Sequence, residues 1–220
     1  MTNQTVGKPE TPISFFNILF CCCIFGSNFG VSGTVELRSS SSGLLGTRLS
    51  IVAWGHTEIT VRLPAGFGNN YQVFLVVGSQ TSLSDPFGYE VPFVNSYTTV
   101  SNNGGTLGGD RIAIRGTGFF TSATVTIGGS ACVVVSCNHT TVVVLTPDGA
   151  GNSNPIVVSV GENGLFQSNN NVLFAYPPPR VLIMTPNHAS TSGLSMSNGK
   201  PIRMVLVGQN FGSSNLANTD

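Results

Sequence analysis

Charge is scarce in this sequence. Nine Lys plus Arg balance nine Asp plus Glu in 220 residues, so the formal net charge is zero. A neutral chain has no long-range field to draw in polyphosphate or an acidic membrane surface. The basic residues (Lys8, Arg38, Arg48, Arg62, Arg111, Arg115, Arg180, Lys200, Arg203) stand singly. That spacing excludes the basic stripe of a nucleic-acid binder, and no nucleic-acid partner is expected. The carboxylates never cluster, so neither an acidic calcium loop nor a close glycosidase pair is written here. Three histidines, His56, His139 and His188, are too few and too dispersed for one catalytic or metal site, and read as turn or loop residues. No G-x-S-x-G elbow appears, and the glycines at 104–109 lack the Lys-Ser/Thr of a phosphate loop. The chain is therefore expected not to be an enzyme and to need neither cofactor nor metal.

Long apolar runs and disulfide frameworks are also missing. Residues 13–25 form a run of 13, broken only by Ser14 and Asn17, where a spanning helix needs about 20. Such a run has the length of a signal-peptide core, although Pro9, Glu10 and Pro12 make a poor basic leader. A repeat in the sequence gives it a second role, as the strand before the repeated phrase at Gly26, and that is the reading taken. Five cysteines fall as Cys21, Cys22, Cys23, Cys132 and Cys137, thin for a disulfide scaffold. If residues 132–137 are extended, the Cα atoms of Cys132 and Cys137 lie on the order of 16 Å apart, beyond disulfide reach. Their spacing does not match a zinc set either.

What is present is glycine, 27 of them, with abundant Val, Thr, Ser and Asn, the mix of an all-β chain with many turns. One phrase is written three times: Gly26-Ser27-Asn28-Phe29-Gly30, Gly116-Thr117-Gly118-Phe119-Phe120 and Gly208-Gln209-Asn210-Phe211-Gly212. The first glycines stand 90 and 92 residues apart, the mark of a tandem array. After each glycine the chain needs a positive φ, which Gly and Asn tolerate, and the phenylalanine is then placed to plug the end of a core.

The two fuller copies align on Pro64 and Pro147. Eight residues before each stands a histidine, His56 or His139, followed by threonine. Between His and Pro, residues 58–62 alternate polar and apolar, a half-exposed strand, while residues 141–145 are apolar almost throughout. The second reads as covered on both sides or as an aggregation-prone edge. Glycine-rich turns and strands at 71–77 and 155–160 follow, and each copy closes on Phe87-Gly88-Tyr89 or Phe174-Ala175-Tyr176. Residues 201–207 repeat the strand that precedes the phrase. Short alternating strands with frequent turn signals spell β-sandwiches. Glu90-Val91-Pro92 and Pro177-Pro178-Pro179 read as short stiff linkers. The expected domains are 12–91 (degenerate), 92–178 (intact) and 179–220 (an incomplete unit that only begins).

These residues resemble a known family. A strand entering G-x-N-F-G, then Val125-Thr126-Ile127-Gly128-Gly129, Cys132, Thr146-Pro147-Asp148-Gly149-Ala150-Gly151 and Phe174-x-Tyr176 are similar to the IPT/TIG domain. The resemblance implies immunoglobulin-like β-sandwiches in tandem, the last truncated. Receptor members often pair the cysteine after Gly-Gly with one three residues before the proline. Here that position is Val144, so the resemblance implies that Cys132 is a buried free thiol. The first copy lacks both cysteines and carries Ser39-Ser40-Ser41-Ser42-Gly43 as an apparent loop insertion.

The function expected is a non-enzymatic extracellular or cell-surface module, a spacer and recognition or adhesion rod for a protein or glycan partner. Membrane attachment would need an anchor not present in this chain. Asn3 and Asn138 head the two N-glycosylation sequons, Asn3-Gln4-Thr5 and Asn138-His139-Thr140. Trp54, the lone tryptophan, is a candidate surface-recognition residue, with core packing as the plainer role. Other readings are an ancillary domain pair of a polysaccharide-processing enzyme, a Rel-like DNA partner, and a self-assembling structural filament. The last would use unpaired edges at residues 142–145 and at the third copy.

Overall fold

The computed structural model describes residues 14–18, 21–39, 46–101, 105–195 and 198–212. The chain divides into two compact units, Met1–Val91 and Pro92–Asp220. It is all-β, built of antiparallel sheets.

In the first unit the described strands are β1 (Ser14–Ile18), β2 (Cys21–Phe25), β3 (Thr34–Ser39), β4 (Thr47–Arg48), β5 (Ser50–Trp54), β6 (Glu58–Arg62), β7 (Tyr71–Val77) and β8 (Gln80–Phe87). They form two four-stranded sheets, ordered β1-β2-β6-β5 and β4-β3-β7-β8. Within the apolar run β1 and β2 pair antiparallel, Ser14 opposite Phe25 and Ile18 opposite Cys21. Strand β6 shows why period two builds a sandwich: Glu58 and Arg62 face water while Ile59 and Val61 are buried. Val35 and Leu37 of β3 and Val73 and Leu75 of β7 meet them from the opposite sheet.

The second unit contains β9 (Phe93–Ser101), β10 (Arg111–Thr117), β11 (Thr124–Ile127), β12 (Ser130–Ala131), β13 (Val133–Cys137), β14 (Thr141–Leu145), β15 (Asn154–Val160), β16 (Phe166–Gln167) and β17 (Leu173–Phe174). One sheet runs β13-β14-β10-β9; the other runs β12-β11-β15, with β16 and β17 both on the far side of β15. The registers set apolar residues opposite one another, Ile112 on Val144 and Ile114 on Val142 in one sheet, Val125 on Val158 and Ile127 on Ile156 in the other. All eight are buried, which makes the core.

Asn169 replaces a strand where β16 and β17 part. Its Oδ1 accepts from the Val94 amide at 2.6 Å and its Nδ2 donates to the Val94 carbonyl at 2.9 Å. One side chain thereby satisfies both backbone groups of a buried residue in the other sheet.

Two expectations are corrected. Strand β14 is not an edge: it lies between β13 and β10, hydrogen-bonded on both sides, and buries Val142 and Val144 while Thr141, Val143 and Leu145 are half-buried. Residues 142–145 therefore offer no unpaired backbone to another chain. Apolar composition does not tell a central strand from an edge, because its neighbours come from distant segments. The strand expected at 201–207 begins later, at Val205, and runs through the phrase glycine to Gln209 as β19, paired with β18 (Arg180–Thr185). Pro201 lacks an N–H for a ladder and makes only an isolated bridge with Leu194.

Candidate functional site

The phrase loops share a positive-φ turn and a glycine under the phenylalanine in all three copies, and the first two share their hydrogen bonds as well. In the first, the Gly26 amide donates to Thr57 O at 3.0 Å and the Phe29 amide to His56 O at 3.1 Å. In the second, Gly116 donates to Thr140 O at 2.9 Å and Phe119 to His139 O at 3.1 Å. Asn28, Gly118 and Asn210 take the positive φ, at 62°, 70° and 60°. The first glycine serves a different purpose. A Cβ on Gly26 would stand 2.6 Å from Phe29 Cζ, and one on Gly208 2.5 Å from Phe211 Cζ. On Gly116 it would strike the Phe93 carbonyl and the Phe119 ring. The bare glycine lets the phenylalanine lie back across the strand that led to it.

Phe29 and Phe119 are 3% and 0% exposed, each worth about 1.5–3 kcal/mol of burial. Phe211 keeps the loop and is 50% exposed. Its hairpin, β18–β19, meets no opposing sheet among the described residues, and Leu182, Ile183, Val205 and Leu206 are about half exposed with it. Asn210 ties that loop down by donating to Pro178 O at 3.2 Å.

A second lock closes each sandwich, and sequence reading missed it. Tyr89 donates its hydroxyl to Pro64 O at 2.8 Å and its amide to Gly68 O at 2.8 Å. Tyr176 donates to Pro147 O and to Gly151 O, both at 2.9 Å. Each ring lies on a glycine: a Cβ on Gly66 would be 2.5 Å from Tyr89 Cζ, and one on Gly149 2.6 Å from Tyr176 Cζ. Phe87 and Phe174 pack edge-on against them, with centroids 5.2 Å and 4.9 Å away. Burial pushes both phenols up to about 12, with Tyr71 adding to Tyr89, and Cys132, Asp148 and Asp110 adding to Tyr176. The recurrence of Pro-x-Gly before Phe-x-Tyr was the available signal.

Asn3 lies outside the described residues. Asn138 is exposed at the turn between β13 and β14, and its Oδ1 accepts from Thr140 N at 3.0 Å, Thr140 Oγ1 at 3.3 Å and Thr141 N at 2.8 Å. Trp54 is half-buried against the first core, donates Nε1–H to Gly30 O at 3.3 Å, and occupies the space a Cβ on Gly33 would need. His56 and His139 are exposed and lend their carbonyls to the phrase loops, while His188 bonds its neighbour Asn187 at 2.7 Å.

Cys22, Cys23, Cys132 and Cys137 are free thiols. Cys22 and Cys23 are both buried, on opposite faces of β2, and burial raises the Cys22 thiol, with Cys23 adding to it. Cys132 is half-buried rather than fully buried as expected, and that desolvation still pushes it up to about 12. Burial also raises Cys137, against the pull of the Ala123 backbone, and Cys137 Sγ donates to Phe120 O at 2.9 Å. Among the described residues no three His, Cys, Asp or Glu side chains stand close enough to hold a metal ion.

Residues 92–176 match the family model of the IPT/TIG domain. The chain therefore carries an IPT/TIG domain, an immunoglobulin-like sandwich, and the first unit repeats its phrase lock and tyrosine lock at equivalent positions. Among curated proteins, human fibrocystin-L is 30% identical over 158 residues, 71% of this chain. The chain spans 3% of the length of that relative. Among solved structures, the extracellular region of plexin A4 is similar over 76% of this chain and 17% of its own, at 14% identity and a TM-score of 0.36. SGBP-B from a complex xyloglucan utilization locus in Bacteroides uniformis is similar over 76% of this chain and 48% of its own, at 15% identity and a TM-score of 0.32. No helix among the described residues is long and apolar enough to cross a membrane.

Proposed function

We propose that this chain is a non-enzymatic extracellular or cell-surface module whose tandem immunoglobulin-like units act as spacer and recognition element for a protein or glycan partner. One observation carries the reading. The two units keep the same internal locks, Phe29 and Phe119 on histidine carbonyls, Tyr89 and Tyr176 on proline carbonyls, while the residues around them differ. Trp54 stands ten residues before its proline where Cys137 stands before the other, and Gly55 stands where the second unit has Asn138. A framework held constant under a changing surface is what recognition by loops and sheet faces requires. Domains 12–91, 92–178 and 179–220 would then be successive blocks of one array.

The experiment is labelling of intact cells that make the protein with a membrane-impermeant amine reagent, followed by a binding screen of the purified chain on glycan and surface-protein arrays. Labelling with a saturable array ligand is the expected result. A protein found only in the cytosol overturns the proposal. Trp54→Ala separates the partner classes, since a glycan that stacks on the indole loses binding while a partner on another face does not.

A further inference from the structure

We propose that Asn138 carries an N-linked oligosaccharide, which caps the end of the second unit beside its phrase loop. The inference rests on the extracellular reading above. The sequence holds two sequons, and Asn138-His139-Thr140 forms the exposed end of the β13–β14 hairpin. The Asn138 amide N–H closes that hairpin by donating to Thr141 O at 2.9 Å. Its side-chain Oδ1 takes three donors, the amides of Thr140 and Thr141 and the Thr140 hydroxyl. The turn thus engages Oδ1, in a residue that is itself exposed. Asn138, His139 and Thr140 are all exposed, so an oligosaccharide would meet open solvent.

The chemistry needs this pairing. N-glycosylation requires the asparagine to be followed two positions on by a hydroxyl residue, here Thr140. Nδ2 then bonds to C1 of a polyprenyl-diphosphate-linked oligosaccharide. The C1–O bond to the diphosphate breaks, its electron pair leaves with the diphosphate, and one amide proton passes to a base of the transferase. No oxidant or reductant is involved.

The position has a consequence for the array. His139 gives its carbonyl to Phe119 and packs its ring T-shaped with Phe120, 6.0 Å between centroids, so the glycan stands on the turn that locks the phrase. In the first unit the equivalent residue is Gly55, whose amide makes the matching bond to Glu58 O at 2.7 Å and which has no side chain to modify. One unit's end is covered with sugar and the other's is left bare. Partner contacts are thereby directed away from the covered end.

The test secretes the full chain from eukaryotic cells behind a cleavable leader, so that entry into the glycosylating compartment is given. Peptide mass spectrometry before and after amidase treatment reads occupancy at Asn138. Most molecules are expected to carry one oligosaccharide there, retained in Thr140→Ser and lost in Thr140→Ala. Asn138→Asp keeps the turn acceptor and removes Nδ2, so it should lose the glycan and unfold at the temperature of the amidase-treated protein. Folded, secreted protein with Asn138 unmodified overturns the inference. Cytosolic location of the natural protein would instead overturn the function proposed above, and the two failures are read separately.

Discussion

Tyr176 reaches 29 residues back to donate its hydroxyl to the Pro147 carbonyl at 2.9 Å, and its ring rests on Gly149. Tyr89 does the same to Pro64 and Gly66, 25 residues back. Tyr176→Phe removes the hydrogen bond alone and should cost about 1 kcal/mol by denaturant unfolding. Gly149→Ala should cost more, because the added methyl drives the ring off its seat and breaks the packing with Phe174 as well.

The same tyrosines make the protein sensitive to alkali. Their folded value of about 12 lies above the ordinary 10. The protonated phenol therefore adds stability that is fully present below pH 10 and is lost as pH rises through about 12. Thermal melts should fall across that window, and the fall should be shallower in Tyr89→Phe/Tyr176→Phe. A melting temperature as pH-dependent in the double variant as in the parent would refute the assignment.

Phe119 and Phe211 hold equivalent loop positions with opposite exposure. Phe119→Ala should destabilise the second unit by about 3–5 kcal/mol, whereas Phe211→Ala should cost less than about 1 kcal/mol. Equal losses in urea titrations would show that the third phrase is covered in solution.

Asn169 is expected to govern the β9 edge of the second unit. Asn169→Ala leaves both backbone groups of buried Val94 without their partner and should cost about 2–3 kcal/mol. Hydrogen exchange gives the sharper readout: the Val94 amide should lose protection while amides of central β10 keep theirs. Unchanged exchange at Val94 would mean that the clamp is not formed.

Thiol chemistry should report the same burial. Only a thiolate attacks a disulfide reagent, and Cys132, pushed up to about 12, holds almost none near neutral pH. Native protein at pH 8 should react at Cys132 at least about tenfold more slowly than unfolded protein, with the unfolded rate restored in denaturant. A native rate equal to the unfolded rate would contradict the burial.

Much of the framework is legible in the order of residues. The phrase at 26, 116 and 208 marks where a strand ends, Asn28, Gly118 and Asn210 mark the positive-φ turn, and alternation at 58–62 assigns Ile59 and Val61 to the core. These are short-range matters, since φ preference and side-chain face are properties of one segment. Asn138 belongs with them, because a hairpin turn places its own side chains.

Tertiary structure decided the rest. Asn169 sits in a polar run that looks like any loop, and its partner Val94 is 75 residues away. Residues 142–145 read equally as a strand covered on both sides or as an open edge, and only the arrival of β10 and β13 on either side makes them the first. Phe211 looked like its two counterparts and is half exposed, because burial belongs to the opposing sheet and not to the residue that seeks it. The sequence by itself determined the repeat, its strands and its turns. Only the assembled sheets decided which edges are paired, which aromatic is covered and which tyrosine closes each sandwich, since each depends on chain segments that no local pattern encodes.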